Sequence, residues 1–100
     1  MTDRHADLVS ALRAAVFDGE GEVPPTLRRA AGSGEGVPEP WTGYVEKVRE
    51  QSYRIGDADV AALRSAGCTE EEIFEITVAA ASGAALHRLD VGLRALERGS

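Results

Sequence analysis

The side chains of this chain best suited to nucleophilic or redox chemistry are its cysteine and its histidines. The sequence has one cysteine, Cys68, and two histidines, His5 and His87. Cys68 stands just before a predicted helix, whose dipole favours a thiolate. The three glutamates at 70–72 oppose this effect, because nearby negative charge raises the pKa of a thiol. With no second cysteine to resolve an oxidised form, we interpret Cys68 as a structural residue that packs against Ile73.

Metal and cofactor sites are not indicated by the spacing of the polar residues. His87 is followed by Arg88, and Asp90 is the only metal-ligating side chain about one helical turn away. A protein zinc site needs three or four such ligands, so we predict no metal and interpret His87 as a helix-surface or subunit-interface residue. The glycine-rich stretches GEGE and GSGEG lack both the preceding strand and the following lysine of a phosphate-binding loop. We therefore predict no cofactor.

Glu75 is unusual because it lies among the apolar residues Phe74, Ile76 and Val78. If it faced the core, its carboxylate would need a partner such as an arginine or a tyrosine hydroxyl. We expect it instead on the exposed face of its helix. The hydroxyls of Tyr44 and Tyr53 are expected to reach water.

The elements that position these residues are predicted to be helices. The composition is rich in alanine and poor in strand-like runs, which indicates one all-α domain over residues 1–100. Helical spacing and breakers predict five helices, at about residues 3–18, 25–31, 40–54, 58–66 and 70–98. Gly19 is expected to close the first helix in the left-handed conformation. The predicted inward residues are Leu8, Ala11, Leu12, Ala15, Val16, Leu27, Ala30, Trp41, Tyr44, Val45, Val48, Val60 and Leu63, with Arg28 and Arg29 facing out.

The last predicted helix is long for a chain of 100 residues. Thr69 and Glu72 have the spacing of a capping box at its start. Residues 77–86 carry no charge and are mostly Ala, Ser and Gly. A helix that is apolar on every side is buried on every side, so the rest of the chain or a second copy must cover this segment. Small residues four apart, at 79 and 83 and at 80 and 84, permit close helix contact.

The net charge and the hydropathy of the chain limit the classes of partner that we expect it to bind. The formal charge is −6 and the isoelectric point is about 4.8, so the surface repels phosphate backbones and nucleic acid is not an expected partner. No apolar run approaches the ~20 residues that span a bilayer. The first residues place charges too close to apolar ones for a signal peptide. We expect a soluble, cytoplasmic protein without a membrane partner.

The segment 57–96 resembles the carboxymuconolactone decarboxylase and AhpD-like superfamily. The shared pattern is a helix that ends in A-G, a capped start with acidic residues, and a long Ala-rich helix with spaced leucines. In this sequence these residues are Ala66, Gly67, Thr69, Glu71, Glu72, Ile73, Leu86, Leu89 and Leu93.

The resemblance implies an AhpD-like helical fold that forms homo-oligomers, often trimers or hexamers, through helices of this kind. Thiol-peroxidase members carry a C-x-x-C motif and a histidine four residues later, on the helix before the A-G break. Those positions fall at about Arg54, Asp57 and Ala61, and none of the three has a thiol or an imidazole. Decarboxylase members use histidine, and no histidine occurs between His5 and His87. The resemblance therefore implies the fold without the known chemistry.

Three hypotheses about function follow. The first is a homo-oligomer without the thiol-peroxidase cysteines, non-catalytic or divergent, that binds a small ligand at the subunit interface. The second is an enzyme that performs acid–base chemistry on a small molecule. By analogy with the location of the family's active site, its candidate catalytic residues are Glu50, Tyr53, Asp57 and His87. The third is an interaction module whose long helix pairs with a different protein.

Overall fold

A computed structural model describes residues 3–99 of the chain, and every described element is helical. The elements in chain order are α1 (Asp3–Arg13) with a π-helical turn (Ala14–Asp18), α2 (Pro25–Ser33), α3 (Thr42–Gln51) with a 3-10 turn (Ser52–Arg54), α4 (Asp57–Ser65) and α5 (Glu70–Gly99). The prediction of an all-α fold with a long C-terminal helix is confirmed. No helix within residues 3–99 has both the length and the apolar character that crossing a bilayer requires.

Helix α5 is the axis on which the other elements pack. Its 30 residues extend over about 45 Å at ~1.5 Å per residue, close to the 50 Å longest dimension of the molecule. The predicted capping box starts it. The Thr69 hydroxyl accepts a hydrogen bond from the N–H of Glu72 at 3.1 Å, and the Glu72 carboxylate accepts one from the N–H of Thr69 at 2.8 Å. Two N–H groups that the helix leaves unpaired are thereby satisfied.

The core lies between the first half of α5 and helices α2 and α3. Its largest fully buried side chains are Val23, Val45 and Ile76. The four predicted inward residues of α3 (Trp41, Tyr44, Val45 and Val48) are all buried, as is Leu63 of α4. The Tyr44 hydroxyl differs from expectation, because it lies 2.6 Å from the Thr77 hydroxyl in a hydrogen bond instead of reaching water.

Helices α2 and α5 touch backbone to backbone where two glycines meet. A Cβ atom added at Gly83 would overlap the backbone of Gly32, and one added at Gly32 would overlap the Phe17 ring. Ala79, Ala80 and Ala84 are also buried on this side of α5. The small residues of α5 thus permit close helix contact, as the sequence indicated, and the contact forms within one chain.

Helix α1 differs from its predicted packing. Leu8, Ala11, Leu12 and Ala15 are exposed, and the core contacts come from Val9, Val16 and Phe17. A π-helical turn holds an extra residue, so it rotates the residues after Arg13 relative to an uninterrupted α-helix. Gly19 is extended at φ −70° and ψ 170°, so the predicted left-handed cap at this position is wrong.

Arg28 was predicted to face out, and the structure corrects this. Its side chain is only 4% exposed. The guanidinium donates hydrogen bonds to the carbonyl oxygens of Val16 and Val23, each at 3.1 Å, and to that of Gly19. These carbonyls belong to the end of the π turn and the connector before α2, where no regular helix pairs them. The guanidinium supplies the donors that buried carbonyl groups need.

Glu75 is half-buried, so its predicted place on the exposed face is wrong. Its carboxylate accepts hydrogen bonds from the N–H groups of Glu22 and Val23, both at 2.9 Å. Burial raises the pKa of Glu75, but these two hydrogen bonds and the charge of Arg28 outweigh it and leave the pKa below its ordinary value. Arg28 and Glu75 therefore hold the same connector from two sides, one through its carbonyls and the other through its N–H groups.

Candidate functional site

A cleft of about 730 Å³ opens between the π-helical turn, α2 and α5. Its inner wall is formed by Gly32, Gly83 and the Phe17 ring. Because the two glycines carry no side chains, the contact between α2 and α5 leaves the adjoining cleft open. The volume lies within the ~300–1,000 Å³ that is usual for small-molecule sites.

The rim of the cleft is charged, and its groups come from four separate elements. It consists of Arg13, Asp18, Arg29, Ser33, Glu35, Arg49, His87 and Asp90. Two of the carboxylates are already paired. Asp18 accepts hydrogen bonds from the Arg29 guanidinium, one of them 3.1 Å from Nε. Asp90 forms an ion pair at 3.2 Å with Arg94, one turn further along α5.

Two arginines of the rim have no carboxylate partner among the described side chains, those of residues 6–99. Arg49 donates a hydrogen bond to the carbonyl oxygen of Gly32, and its own carbonyl accepts one from Arg88 at 2.9 Å. Arg13 forms no ion pair with any described carboxylate. Unpaired positive charge therefore collects at the cleft of a chain whose net charge is −6.

The four catalytic candidates named from the sequence do not meet within one chain. His87 lies on the rim of this cleft. Glu50 lines a second cleft, of about 610 Å³, beside the loop that joins α2 to α3. Tyr53 is 84% exposed, and Asp57 is exposed at the start of α4, in neither cleft. Within one chain, the four candidates therefore do not share a pocket in which two of them could form an acid–base pair.

Cys68 behaves as a packing residue. It is half-buried between α4 and α5, contacts the core, and donates its backbone N–H to the carbonyl of Leu63 at 3.0 Å. Burial raises the pKa of its thiol, and the charge of Glu72 adds to this effect. A thiol with a raised pKa is a poor nucleophile at neutral pH, which supports the structural interpretation.

Metal-binding groups of the usual composition are absent from the described part of the chain. Among the side chains of residues 6–99, no three His, Cys, Asp or Glu groups are placed to hold an ion together. The side chain of His5 lies outside the residues whose side chains are described.

No pattern in the sequence indicates the cleft itself. Arg13, Arg29 and Arg49 are 16 and 20 positions apart and belong to three helices. Each of them, taken alone, has the pattern of an ordinary surface arginine. Only the packing of α1, α2 and α3 around α5 brings them to one rim.

A second feature lies on the opposite side of α5. Phe74, Val78, Ala81, Ala85 and Leu89 follow one another at spacings of four, three, four and four residues, which places them on a single face of the helix. We call this set the outer stripe. Phe74 is 63% exposed and Leu89 is 46% exposed, Ala81 and Ala85 are exposed, and Val78 is half-buried. The outer stripe is therefore apolar and largely uncovered over more than four turns.

Comparison of the chain with protein-family models, with curated proteins and with solved structures finds no match.

Proposed function

We propose that the chain is a self-associating helical protein of the AhpD-like type that lacks the dithiol chemistry of that superfamily. Its α5 helices pair through the outer stripe. The observation that carries this proposal is the stripe itself, because a large continuous apolar surface rimmed by polar residues marks an interaction site. The other side of the same helix is already covered by α2 and α3.

A second copy of the chain fits the stripe in shape. Ala81 and Ala85 occupy its middle, with the larger Phe74 and Leu89 towards its two ends. When two such helices pair antiparallel about a two-fold axis near residue 83, the alanines of one face the alanines of the other. Small residues at the crossing point let two helices approach closely.

The charges at the two ends of α5 also favour an antiparallel pair. Residues 70–75 contain four glutamates and no basic residue, whereas residues 88–98 contain three arginines and two acidic residues. Antiparallel pairing brings the acidic end of one helix towards the basic end of its partner. Complementary charges of this kind select the orientation of an interface more than they add to its affinity.

The symmetry of this contact bears on the size of the assembly. An antiparallel helix pair has a two-fold axis, which occurs in a dimer and in a dihedral hexamer but is absent from a cyclic trimer. Of the two assemblies implied by the resemblance, the proposal therefore favours the hexamer, with the dimer as its unit.

The test is sedimentation velocity of the purified chain at several concentrations. We expect the wild type to sediment as a dimer or hexamer. Ala85→Glu should break the helix pair, because it places a charge in the middle of the stripe, and should sediment as a folded monomer if the wild type is a dimer or as a folded trimer if the wild type is a hexamer. Ala62→Glu is the matched control. It introduces the same charge at an exposed alanine of α4, away from α5, and should keep the assembly.

Two results would contradict the proposal. One is a wild-type chain that stays monomeric at every concentration, which would favour the interaction module and a different protein on the stripe. The other is peroxide reduction with a dithiol donor that is lost in Cys68→Ala, because the proposal excludes thiol-peroxidase activity. Circular dichroism of each variant separates loss of assembly from loss of fold.

A further inference from the structure

The cleft between the π-helical turn, α2 and α5 has the form of a small-molecule site. The contact between Gly32 and Gly83 leaves its inner wall without side chains, and the Phe17 ring closes one side. A ligand in it can reach backbone atoms and an aromatic face as well as charged groups. Because α2 and α5 are fixed by this backbone contact, the cleft exists without any rearrangement.

The charges of the rim favour an anion. Arg29 holds Asp18, and Asp90 is held by Arg94, so both carboxylates are neutralised. Glu35 is the remaining acidic group of the rim, which also contains two guanidinium groups without a carboxylate partner, those of Arg13 and Arg49. A planar guanidinium has five N–H donors in a fork that matches a carboxylate or a phosphate. The hydrogen bond from Arg49 to Gly32 leaves most of its donors unused.

We propose that this cleft binds a small organic anion through a carboxylate or phosphate group, which the guanidinium groups of Arg13 and Arg49 contact while the Arg29–Asp18 pair fixes one edge of the site. Large polyanions are excluded, since the surface outside the cleft is acidic overall.

The site is contained in one chain and does not rest on the proposed self-association. Gly83 and His87 reach the cleft from the side of α5 opposite to Ala81 and Ala85. The variant Ala85→Glu, which loses the helix pair, should therefore bind the same anion as the wild type. Each of the two proposals can therefore be tested even if the other is wrong.

The experiment is a titration of the ¹⁵N-labelled full chain at constant ionic strength, with succinate and with inorganic phosphate, and with chloride as the reference. We expect saturable shifts of the amide signals of Gly32 and Gly83 in the millimolar range or below. Binding of succinate alone identifies a carboxylate ligand, and binding of phosphate alone identifies a phosphoryl ligand. Binding of both identifies a site that accepts either kind of anionic group. Each of these three results supports the proposed site.

A matched pair of arginines tests whether the rim is responsible. Arg29 and Arg64 both form exposed ion pairs, and their side chains are 57% and 56% exposed. Arg29→Gln should weaken binding by about tenfold or more, because it removes a guanidinium and also leaves Asp18 unneutralised beside the anion. Arg64→Gln, which releases Glu70 far from the cleft, should change binding by less than about twofold.

Three results would overturn the site. They are the absence of saturable binding by either anion, an equal loss of affinity in Arg29→Gln and Arg64→Gln, and loss of binding in the Ala85→Glu chain. Arg13→Gln serves as a second variant, since Arg13 makes no ion pair whose loss would disturb the fold. It should weaken binding severalfold and leave the thermal unfolding midpoint unchanged.

Discussion

The two sides of α5 have similar residues and different surroundings. The inner side, with Ile73, Ile76, Ala79, Ala80 and Gly83, is buried by α2 and α3. The outer stripe is as apolar, yet no described element covers it. Burying apolar surface stabilises a protein by about 25 cal/mol per Å². Helix α5 gains this stabilisation on its inner side, whereas the apolar surface of its outer side stays in contact with water. The chain supplies cover for one side only, and this difference is the basis of the proposed assembly.

The largest expected effect is the difference in stability loss between one truncation on the inner side and one on the outer side. Ile76→Ala removes a fully buried side chain from the inner side and should lower the free energy of unfolding by about 3–4 kcal/mol. Phe74→Ala removes a larger side chain from the outer stripe and should cost the monomer less than about 0.5 kcal/mol. Urea unfolding at a concentration where the chain is monomeric measures both.

Equal losses in Ile76→Ala and Phe74→Ala would show that the outer stripe is covered within the chain, and the comparison of the two sides would fail. Sedimentation of Phe74→Ala adds an independent measurement, because this variant should weaken self-association at unchanged fold.

A smaller effect should appear at the closest contact of the inner side. Gly83→Ala should destabilise the chain by about 2 kcal/mol, because its Cβ meets the backbone of Gly32, which cannot rotate away as a side chain can. Gly43→Ala is the control, since it lies within α3 with nothing within 4 Å of the added Cβ. It should be neutral or stabilising by up to about 1 kcal/mol. Thermal unfolding of both variants gives the difference, and a neutral Gly83→Ala would contradict the backbone contact.

The smallest expected effect lies at Glu75, near the boundary between the two sides. Glu75→Gln should cost about 1 kcal/mol at neutral pH, because it weakens two charge-assisted hydrogen bonds to the connector. The folded-state pKa of Glu75 is below its ordinary value, so its contribution is present above the unfolded-state pKa and is lost as the pH falls through the folded-state pKa.

The difference in stability between wild type and Glu75→Gln should therefore be constant well above the ordinary glutamate pKa of about 4.3, and it should shrink as the pH falls below that value, because the protonated carboxyl resembles the amide. Urea unfolding across this range measures it. Glu46→Gln, at an exposed position of α3, should show little gap at any pH. A gap at Glu75 that widens in acid would mean that the ionised carboxylate is not the form that holds the connector.

The helices themselves were predictable because their signals are local. The capping box of Thr69 and Glu72, the proline at the start of α2 and the spacing of the α3 core residues each depend on a few neighbouring positions. The predicted and observed bounds consequently differ by only a few residues. The long helix was predicted from the same kind of signal.

The predictions were wrong mainly for residues that bind groups from other segments of the chain. Arg28 was expected to face solvent, but carbonyls of the π turn and connector draw its guanidinium inward. Glu75 was expected to be exposed, but N–H groups more than 50 residues away bind its carboxylate. A π-helical turn changed the direction of the side chains at positions 14–18, at the end of the first predicted helix. None of these interactions is visible from helical periodicity.

The sequence by itself determined the helices, the start of α5, and the uncharged character of residues 77–86 on all sides of α5, because propensity, capping and spacing act over one or two turns. Only the tertiary structure decided which side of α5 is covered, where Arg28 and Glu75 point, and that Arg13, Arg29 and Arg49 share one cleft. The physical reason is that helix formation is settled by neighbours along the chain. Burial and electrostatic partnership are settled by neighbours in space.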